Sequence, residues 1–198
     1  MVNIMCVVLG SQSPRRKEIF EYFDIPFTVC SSQFDESKIP FNYDPKEYAE
    51  TLAIEKTKAL KKQFNKEVII TADTIVHFKK KLYPKPKDEK EAFSFLKELV
   101  GNTHEVYTGV CVSRGEEYYT GVALSTVQFH PIEDEKIKDY IRLIDPLDKA
   151  GAYAIQGRGS LIVSKVDGCY YNVMGLPISL LSDLLKRVEI DLWKSYSK

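Results

Sequence analysis

Apolar positions along the 198 residues follow two rhythms: short unbroken runs, and stretches where they recur every three or four places. Their alternation predicts strands interleaved with helices. Residues 4–9 form the first apolar run and read as a buried strand. The run stops at Gly10, passes Ser11 and Ser13, and meets Pro14, which suits a first helical turn with Ser13 as its N-cap. Ile19, Phe20 and Phe23 give that helix a core face. Residues 25–30 read as a second strand and residues 31–37 as a polar loop. Asp44 and Pro45 then open a long helix to about Gln63, with Tyr48, Leu52, Ile54 and Leu60 at its apolar positions.

Residues 67–72 form another buried strand, running straight into Asp73 and Thr74, and residues 75–78 stay extended. Pro84 and Pro86 hold Lys85 in a rigid extended segment. Asp88 caps a helix carrying Ala92, Phe93, Leu96 and Leu99, which ends at Gly101. Residues 103–113 and 118–129 pair as a hairpin across a turn at residues 114–117. Two consecutive strands after a strand–helix alternation predict a mixed sheet. A helix over residues 132–143, a loop rich in small residues at 145–157, a strand at 161–166 and a last helix bearing Leu180, Leu181, Leu184, Leu185 and Val188 complete the chain. No internal repeat or low-complexity linker interrupts it, and it reads as one domain over residues 1–198.

Composition narrows the classes. Hydrophobic residues make up 44% and charged residues 28%, as in ordinary globular proteins. Lys and Arg (28) balance Asp and Glu (28), so no global field draws nucleic acid or an anionic membrane. Any anion site is therefore local. The four cysteines include no CxxC pair, which argues against a zinc knuckle or redox motif and fits a reducing, cytoplasmic compartment. Cys6 and Cys111 lie in apolar runs and are expected to be buried. No apolar run approaches the ~20 residues of a membrane span.

The candidate chemistry is carried by charge. Arg15 and Arg16 stand in the first turn of a helix, where the dipole disfavours cations. They make sense if an anion sits over the helix end, near the N–H groups by Ser11 and Ser13. A capped surface helix with two solvated arginines is the open alternative. Asp73 ends a strongly apolar run and costs several kcal/mol if buried unpaired. It needs a cation, a metal or a set of backbone N–H donors. With Lys56, Lys85 and Glu36, these residues suit a polyphosphate held with a divalent ion. The sequence lacks a GxxxxGK[ST] loop and a GxGxxG after a strand, and no GxSxG surrounds Ser11 or Ser13. His77 reads as a satisfied core or edge histidine, His104 as a local hydrogen-bonding residue and His130 as loop.

Nine segments, in order, resemble the Maf family of nucleoside triphosphate pyrophosphatases. They are Leu9-Gly10-Ser11-Gln12-Ser13-Pro14-Arg15-Arg16, Phe34-Asp35-Glu36, Leu52-Ala53-Ile54-Glu55-Lys56, Ala72-Asp73-Thr74-Ile75-Val76, Lys85-Pro86, His104-Glu105-Val106-Tyr107-Thr108-Gly109-Val110, Asp148-Lys149-Ala150-Gly151-Ala152-Tyr153, Ile155-Gln156-Gly157 and Asn172-Val173-Met174-Gly175-Leu176-Pro177. The resemblance implies an α/β fold: a two-lobed mixed sheet flanked by helices, similar to inosine triphosphate pyrophosphatases, with the active cleft between the lobes. It implies hydrolysis of a nucleoside triphosphate to monophosphate and pyrophosphate with Mg²⁺, Mn²⁺ or Co²⁺, in a cytoplasmic homodimer.

By the same resemblance Asp73 is the proton acceptor and Glu36 the acidic loop position, and we expect these two carboxylates to hold the metal. Lys56, Lys85 and Arg16 serve phosphate, while Arg15, Thr74 and Gln156 select the base. The Gln156 segment looks like the dTTP/UTP branch. A glutamine amide offers a donor and an acceptor to a pyrimidine edge, whereas an ionised acid, more usual in the 7-methyl-GTP branch, offers acceptors only. Three positions depart from the pattern: Gly10 where alanine is commoner, and Pro84 and Ala154 where glycine is. A 7-methyl-GTP-type pyrophosphatase, a metal-dependent phosphatase acting on the terminal phosphate and a nucleotide-binding regulator of cell division without turnover are the competing readings.

Overall fold

The computed structural model describes residues 6–194. Ile4 and Met5, the start of the expected opening strand, lie outside the described residues. In chain order the elements are β1 (Val7–Leu9), α1 (Pro14–Phe20), β2 (Phe27–Val29), α2 (Pro45–Lys61), β3 (Val68–Phe78), β4 (Lys81–Leu82), α3 (Glu89–Leu99), β5 (Thr103–Arg114), β6 (Glu117–Phe129), α4 (Asp134–Leu143), β7 (Val163–Asp167), α5 (Tyr170–Met174) and α6 (Ile178–Lys186). Short 3₁₀ turns occupy Glu36–Lys38, Ala150–Ala152, Gly157–Ile162 and Leu192–Lys194.

The fold is α/β, as expected, with a mixed sheet and helices. Hydrogen-bonded strands follow the order β2-β1-β3-β5-β6-β7, and β4 pairs with β3. β1 runs parallel to both β2 and β3, with Leu9 opposite Val29 and Ile70. β4 and β7 lie antiparallel to β3 and β6. Among the described residues no helix is long and apolar enough to cross a membrane.

The chain divides into two compact units. The first comprises the described residues up to Asp73 with Thr108–Ala123 and those from Gly175 onward; the second comprises Thr74–Tyr107 and Leu124–Met174. In the first unit, Val8, Leu60 and Ile69 form a small apolar cluster between strands and α2. Asp44 caps α2 as expected, its carboxylate accepting from the N–H groups of Lys46 (2.9 Å) and Glu47 (3.1 Å). The buried face of α2 is Ala49, Leu52, Ala53, Thr57 and Leu60, with Tyr48 and Ile54 at its half-buried margins. Cys111 is buried, but Cys6 is exposed. The pairing explains the correction: Val7 faces Phe27 and Val68, so Cys6 lies one step beyond the apolar core, level with Pro26 and Glu67.

The second unit has a larger core, in which α3 and α4 pack together and Tyr83, Phe95, Leu96, Leu99, Phe129, Ile137 and Tyr153 are buried. Asp88 caps α3 by accepting from Glu91 N–H at 2.8 Å. α4 begins two residues later than expected and β7 also two residues later, because residues 161–162 belong to a 3₁₀ turn. Asn172 is fully buried on α5, an element the sequence did not suggest. Its amide donates to Val106 O and Ser125 Oγ, both at 3.0 Å. His77 is satisfied by Glu105 at 2.8 Å, as expected of an edge histidine. His104 is not a local hydrogen-bonding residue. It is 1% exposed, lies edge-on to Phe129 and Tyr153, and shares a 3.0 Å hydrogen bond with the Tyr153 hydroxyl, 49 residues away.

Burial lowers the His104 pKa to about 4, against about 6.5 in an unfolded chain. Between these values the unfolded chain binds more protons, so stability is full above the unfolded pKa and drains away as pH falls towards the folded one. The loss expected from this residue is on the order of 3 kcal/mol. Urea unfolding at pH 7 and pH 4.5 should show a smaller pH-dependent loss for His104→Gln than for the wild type. An equal loss in both would assign the titration to another group.

Candidate active site

The charged residues of the first unit are brought together where its parallel strands end. Ligands of open α/β sheets gather at the carboxyl ends of strands, and β1 ends at Leu9, beside Ile70 of β3. β3 continues through Thr71 and Asp73, which alternation places on one face. That face meets α2. The Thr71 hydroxyl donates to Ala53 O at 2.6 Å, the Thr57 hydroxyl to the same carbonyl at 3.1 Å, and the two hydroxyl oxygens stand 2.7 Å apart. This buried clamp fixes helix to strand one residue from Lys56 and two from Asp73. The Lys56 ammonium consequently pairs with Asp73 Oδ1, and it also pairs with Glu36 Oε1 at 2.7 Å.

The 3₁₀ turn at Glu36–Lys38 separates two adjacent carboxylates by role. Asp35 is absorbed by the turn, accepting from the Ser37 N–H (3.1 Å) and hydroxyl (2.6 Å). Glu36, next along the chain, reaches Lys56. Asp73 is 7% exposed. Burial raises its carboxyl above the ordinary range; Lys56 pulls it down, Glu36 pushes it up and Arg16 pulls it down. Lys56 is thus the chief counter-charge to a buried acid.

Arg16 is anchored by its own unit. Its Nε donates to Gly175 O at 2.7 Å and its Nη1 to Ser11 Oγ at 3.2 Å. Burial works against its charge and Asp73 favours it. Ser13 occupies the N-cap position of α1, but its side chain makes no capping bond. Instead Ser13 N–H donates to Ser11 Oγ at 3.1 Å, and Ser11 N–H to Leu9 O at 2.9 Å. Serine hydroxyls compete for nearby backbone groups in this way, so two N–H groups of the expected phosphate cradle are taken inside the turn. Arg15 is half-buried on the same helix.

Thr74, Lys85 and Gln156 belong to the second unit. Thr74 follows Asp73 on β3 and is half-buried, while Lys85 is exposed. The segment before Lys85 is held by Gly151 N–H, which lies 2.8 Å from Tyr83 O and 3.3 Å from Pro84 O. Gln156 is half-buried at the end of an ordered loop. Gly151 and Ala152 both have left-handed backbone, φ +72° and +61°, although Ala152 is fully buried. The Tyr140 hydroxyl accepts from Ala154 N–H at 3.2 Å and donates to Gly159 O at 2.9 Å, bracketing Gln156.

Sequence reasoning missed the Thr57–Thr71 clamp, the Gly175 carbonyl and Tyr48. The Tyr48 hydroxyl is held above its ordinary pKa by burial and then by the charges of Asp73 and Glu36. The available signal was spacing: Tyr48, Leu52 and Lys56 lie four residues apart on α2. Gly10 also acquires a reason. A β-carbon there would fall onto Leu60 and 2.7 Å from the Thr71 methyl, so these side chains fill the space of the commoner alanine.

Among the described residues no three His, Cys, Asp or Glu side chains converge. Glu36 and Asp73 are nevertheless two hard donors directed at one point of positive charge. Such a pair suits a small divalent ion that brings waters and phosphate oxygens of its own. A buried acid, a lysine between two carboxylates and an anchored arginine can meet a polyanion and accept a proton.

This is an α/β protein whose first unit gathers Lys56, Glu36 and Arg16 around one buried aspartate. The chain belongs to the Maf-like protein family, whose sequence pattern matches residues 6–188. It is 41% identical over 188 residues to a dTTP/UTP pyrophosphatase of Chlamydia felis, covering 94% of this chain and 96% of that one. It is 41% identical over 191 residues to a dTTP/UTP pyrophosphatase of Clostridium perfringens (strain SM101 / Type A), covering 95% and 100%. A Mycobacterium abscessus nucleoside-triphosphatase / dITP/XTP pyrophosphatase superposes with a TM-score of 0.43 at 10% identity, over 92% and 95% of the chains; a likeness that slight bears no weight.

Thr71→Val keeps the shape of the clamp and removes the hydroxyl. A loss of about 1–2 kcal/mol is expected in urea unfolding. Unchanged stability would mean that the hydroxyl pair does not hold helix to strand.

Proposed function

We propose that this chain hydrolyses dTTP and UTP to the monophosphate and pyrophosphate. The observation that carries the proposal is the buried Asp73, its carboxyl raised towards working pH and paired to a lysine that Glu36 shares. A base works best when its pKa lies near the operating pH. Two relatives 41% identical over nearly the whole chain are dTTP/UTP pyrophosphatases, which supports the same reaction and substrates.

Asp73 takes a proton from water as the water oxygen bonds to the α-phosphorus. The bond from that phosphorus to the αβ-bridging oxygen breaks, and pyrophosphate leaves with the electron pair. Arg16, anchored by Gly175 and Ser11, Lys56 and Lys85 neutralise phosphate charge, in keeping with the family resemblance. Ser11 and Ser13 shape the turn that holds Arg16. Arg15, Thr74 and Gln156 choose the base, in keeping with the family resemblance, with Gln156 reading donor and acceptor of the pyrimidine edge. Glu36 and Asp73 would hold Mg²⁺, Mn²⁺ or Co²⁺, which when bound neutralises phosphate charge and lowers the pKa of water. A cytoplasmic homodimer belongs to the same proposal.

Asp73→Asn should lower turnover by at least ~10²–10³-fold, the usual scale for removing a central polar group of a phosphoryl or acyl transfer site, with the fold retained. Pyrophosphate release from UTP measures it, and unchanged turnover would remove Asp73 from the reaction. The same assay separates cleavage at the αβ bond from loss of the terminal phosphate, and turnover itself excludes a purely regulatory role. Gln156→Glu should raise KM for UTP and dTTP with a normal thermal melt. If both substrates are used as before, Gln156 does not read the base.

A further inference from the structure

Lys56 stands at the point that the proposed metal would share with Glu36 and Asp73. Its side chain is only 12% exposed, and its ammonium contacts both carboxylates at once. The two acids reach it from separate places, the turn at Glu36–Lys38 and strand β3. The lysine is carried on α2, which Thr57 and Thr71 lock to that strand. A tethered cation competes at a high effective concentration. A bare divalent ion arriving from solvent has to displace it and leave the ammonium in a largely enclosed place without an anion.

We infer that Lys56 is the resident cation of the free protein, excluding divalent ions until they arrive bound to the nucleotide's phosphates. This rests on the reading of Glu36 and Asp73 as metal ligands. The nucleotide changes the exchange because it supplies a new anion. The Lys56 ammonium moves to a phosphate oxygen and releases Glu36 and Asp73, which would then hold the ion, so no charge is left unpaired. Metal and nucleotide therefore bind as one unit, and the free chain has little affinity for the metal alone.

Mn²⁺ provides the probe, because the electron paramagnetic resonance signal of the free aqua ion disappears on binding. The full chain is titrated at neutral pH, alone and with α,β-methylene UTP. Wild type alone should leave the signal near that of buffer, and with the nucleotide analogue it should deplete the signal beyond the analogue by itself. Lys56→Met alone should bind Mn²⁺ at least about tenfold more tightly than wild type alone, as expected when a unit charge in contact is removed. Its melting temperature should rise with added Mn²⁺ while that of wild type stays fixed.

Wild type that binds Mn²⁺ as tightly without nucleotide as with it overturns the inference, and this titration requires no variant. So does a folded Lys56→Met that binds no better than wild type. Glu36→Gln and Asp73→Asn placed in the Lys56→Met background test the underlying reading separately. If binding persists undiminished in both, the ion is held elsewhere and the metal assignment of the two carboxylates fails.

Discussion

Burying the Asp73 carboxylate is the constraint around which the first unit is arranged. A charge on a core strand has to be answered by an opposite charge and by hydrogen bonds, or it neutralises. The answer here is Lys56, two helical turns along from Tyr48 on α2. Delivering it requires that α2 approach β3 closely and hold its register. The hydroxyls of Thr57 and Thr71 do this by sharing the Ala53 carbonyl. Close approach is also visible at Gly109, where a β-carbon would fall onto the Ala49 carbonyl and 2.7 Å from Glu50 N. The pairing leaves the Asp73 carboxyl above its ordinary range, so the lysine compensates its burial only in part. An acid in that state is a better base than a surface aspartate.

The second unit is organised by packing rather than by charge. His104, Phe129 and Tyr153 meet edge-on, with centroids 4.7 to 5.2 Å apart. Tyr153 is the last aromatic anchor before Gln156, and the Tyr140 hydroxyl holds the backbone on either side of it. A loop built of alanines and glycines is kept in one conformation by its aromatic neighbours. Left-handed backbone at a buried alanine persists only where the surroundings over-determine it, and here they do.

Much of this was legible in the sequence because it follows from local rules. Asp44 and Asp88 announced their helices by the capping preference, and the hairpin of β5 and β6 by its turn. Asp73 in an apolar run calls for a cation, a metal or backbone donors, and of these the structure supplies the ammonium of Lys56. What was not legible depends on contacts distant in the chain. The Ser13 side chain makes no capping bond, the Ser13 N–H turns instead to the Ser11 hydroxyl, which Arg16 also uses, and Arg16 is positioned by a carbonyl 159 residues away. An apolar run does not reveal where the neighbouring strands end, so Cys6 reads as buried although it is exposed. His104 reads as local because its partner, Tyr153, is remote in the chain. The Thr57–Thr71 clamp left no pattern, since a threonine on a helix and one on a strand are individually ordinary.

The two kinds of cation in the first unit differ in the way their chemistry suggests they should. Arg16 has a planar fork with fixed donor directions, and two of those donors are held by Gly175 and Ser11. That geometry makes it a stationary element. Lys56 carries a compact point charge with three rotatable donors on a flexible stem. It meets two carboxylates without a directional lock, and a third anion within reach of the stem can take their place. An arginine in its position would favour a bidentate grip on one carboxylate, deepening the hold on Asp73 or Glu36 and raising the cost of letting go. A lysine is the residue that both stabilises a buried acid in the free protein and gives it up when a stronger anion arrives.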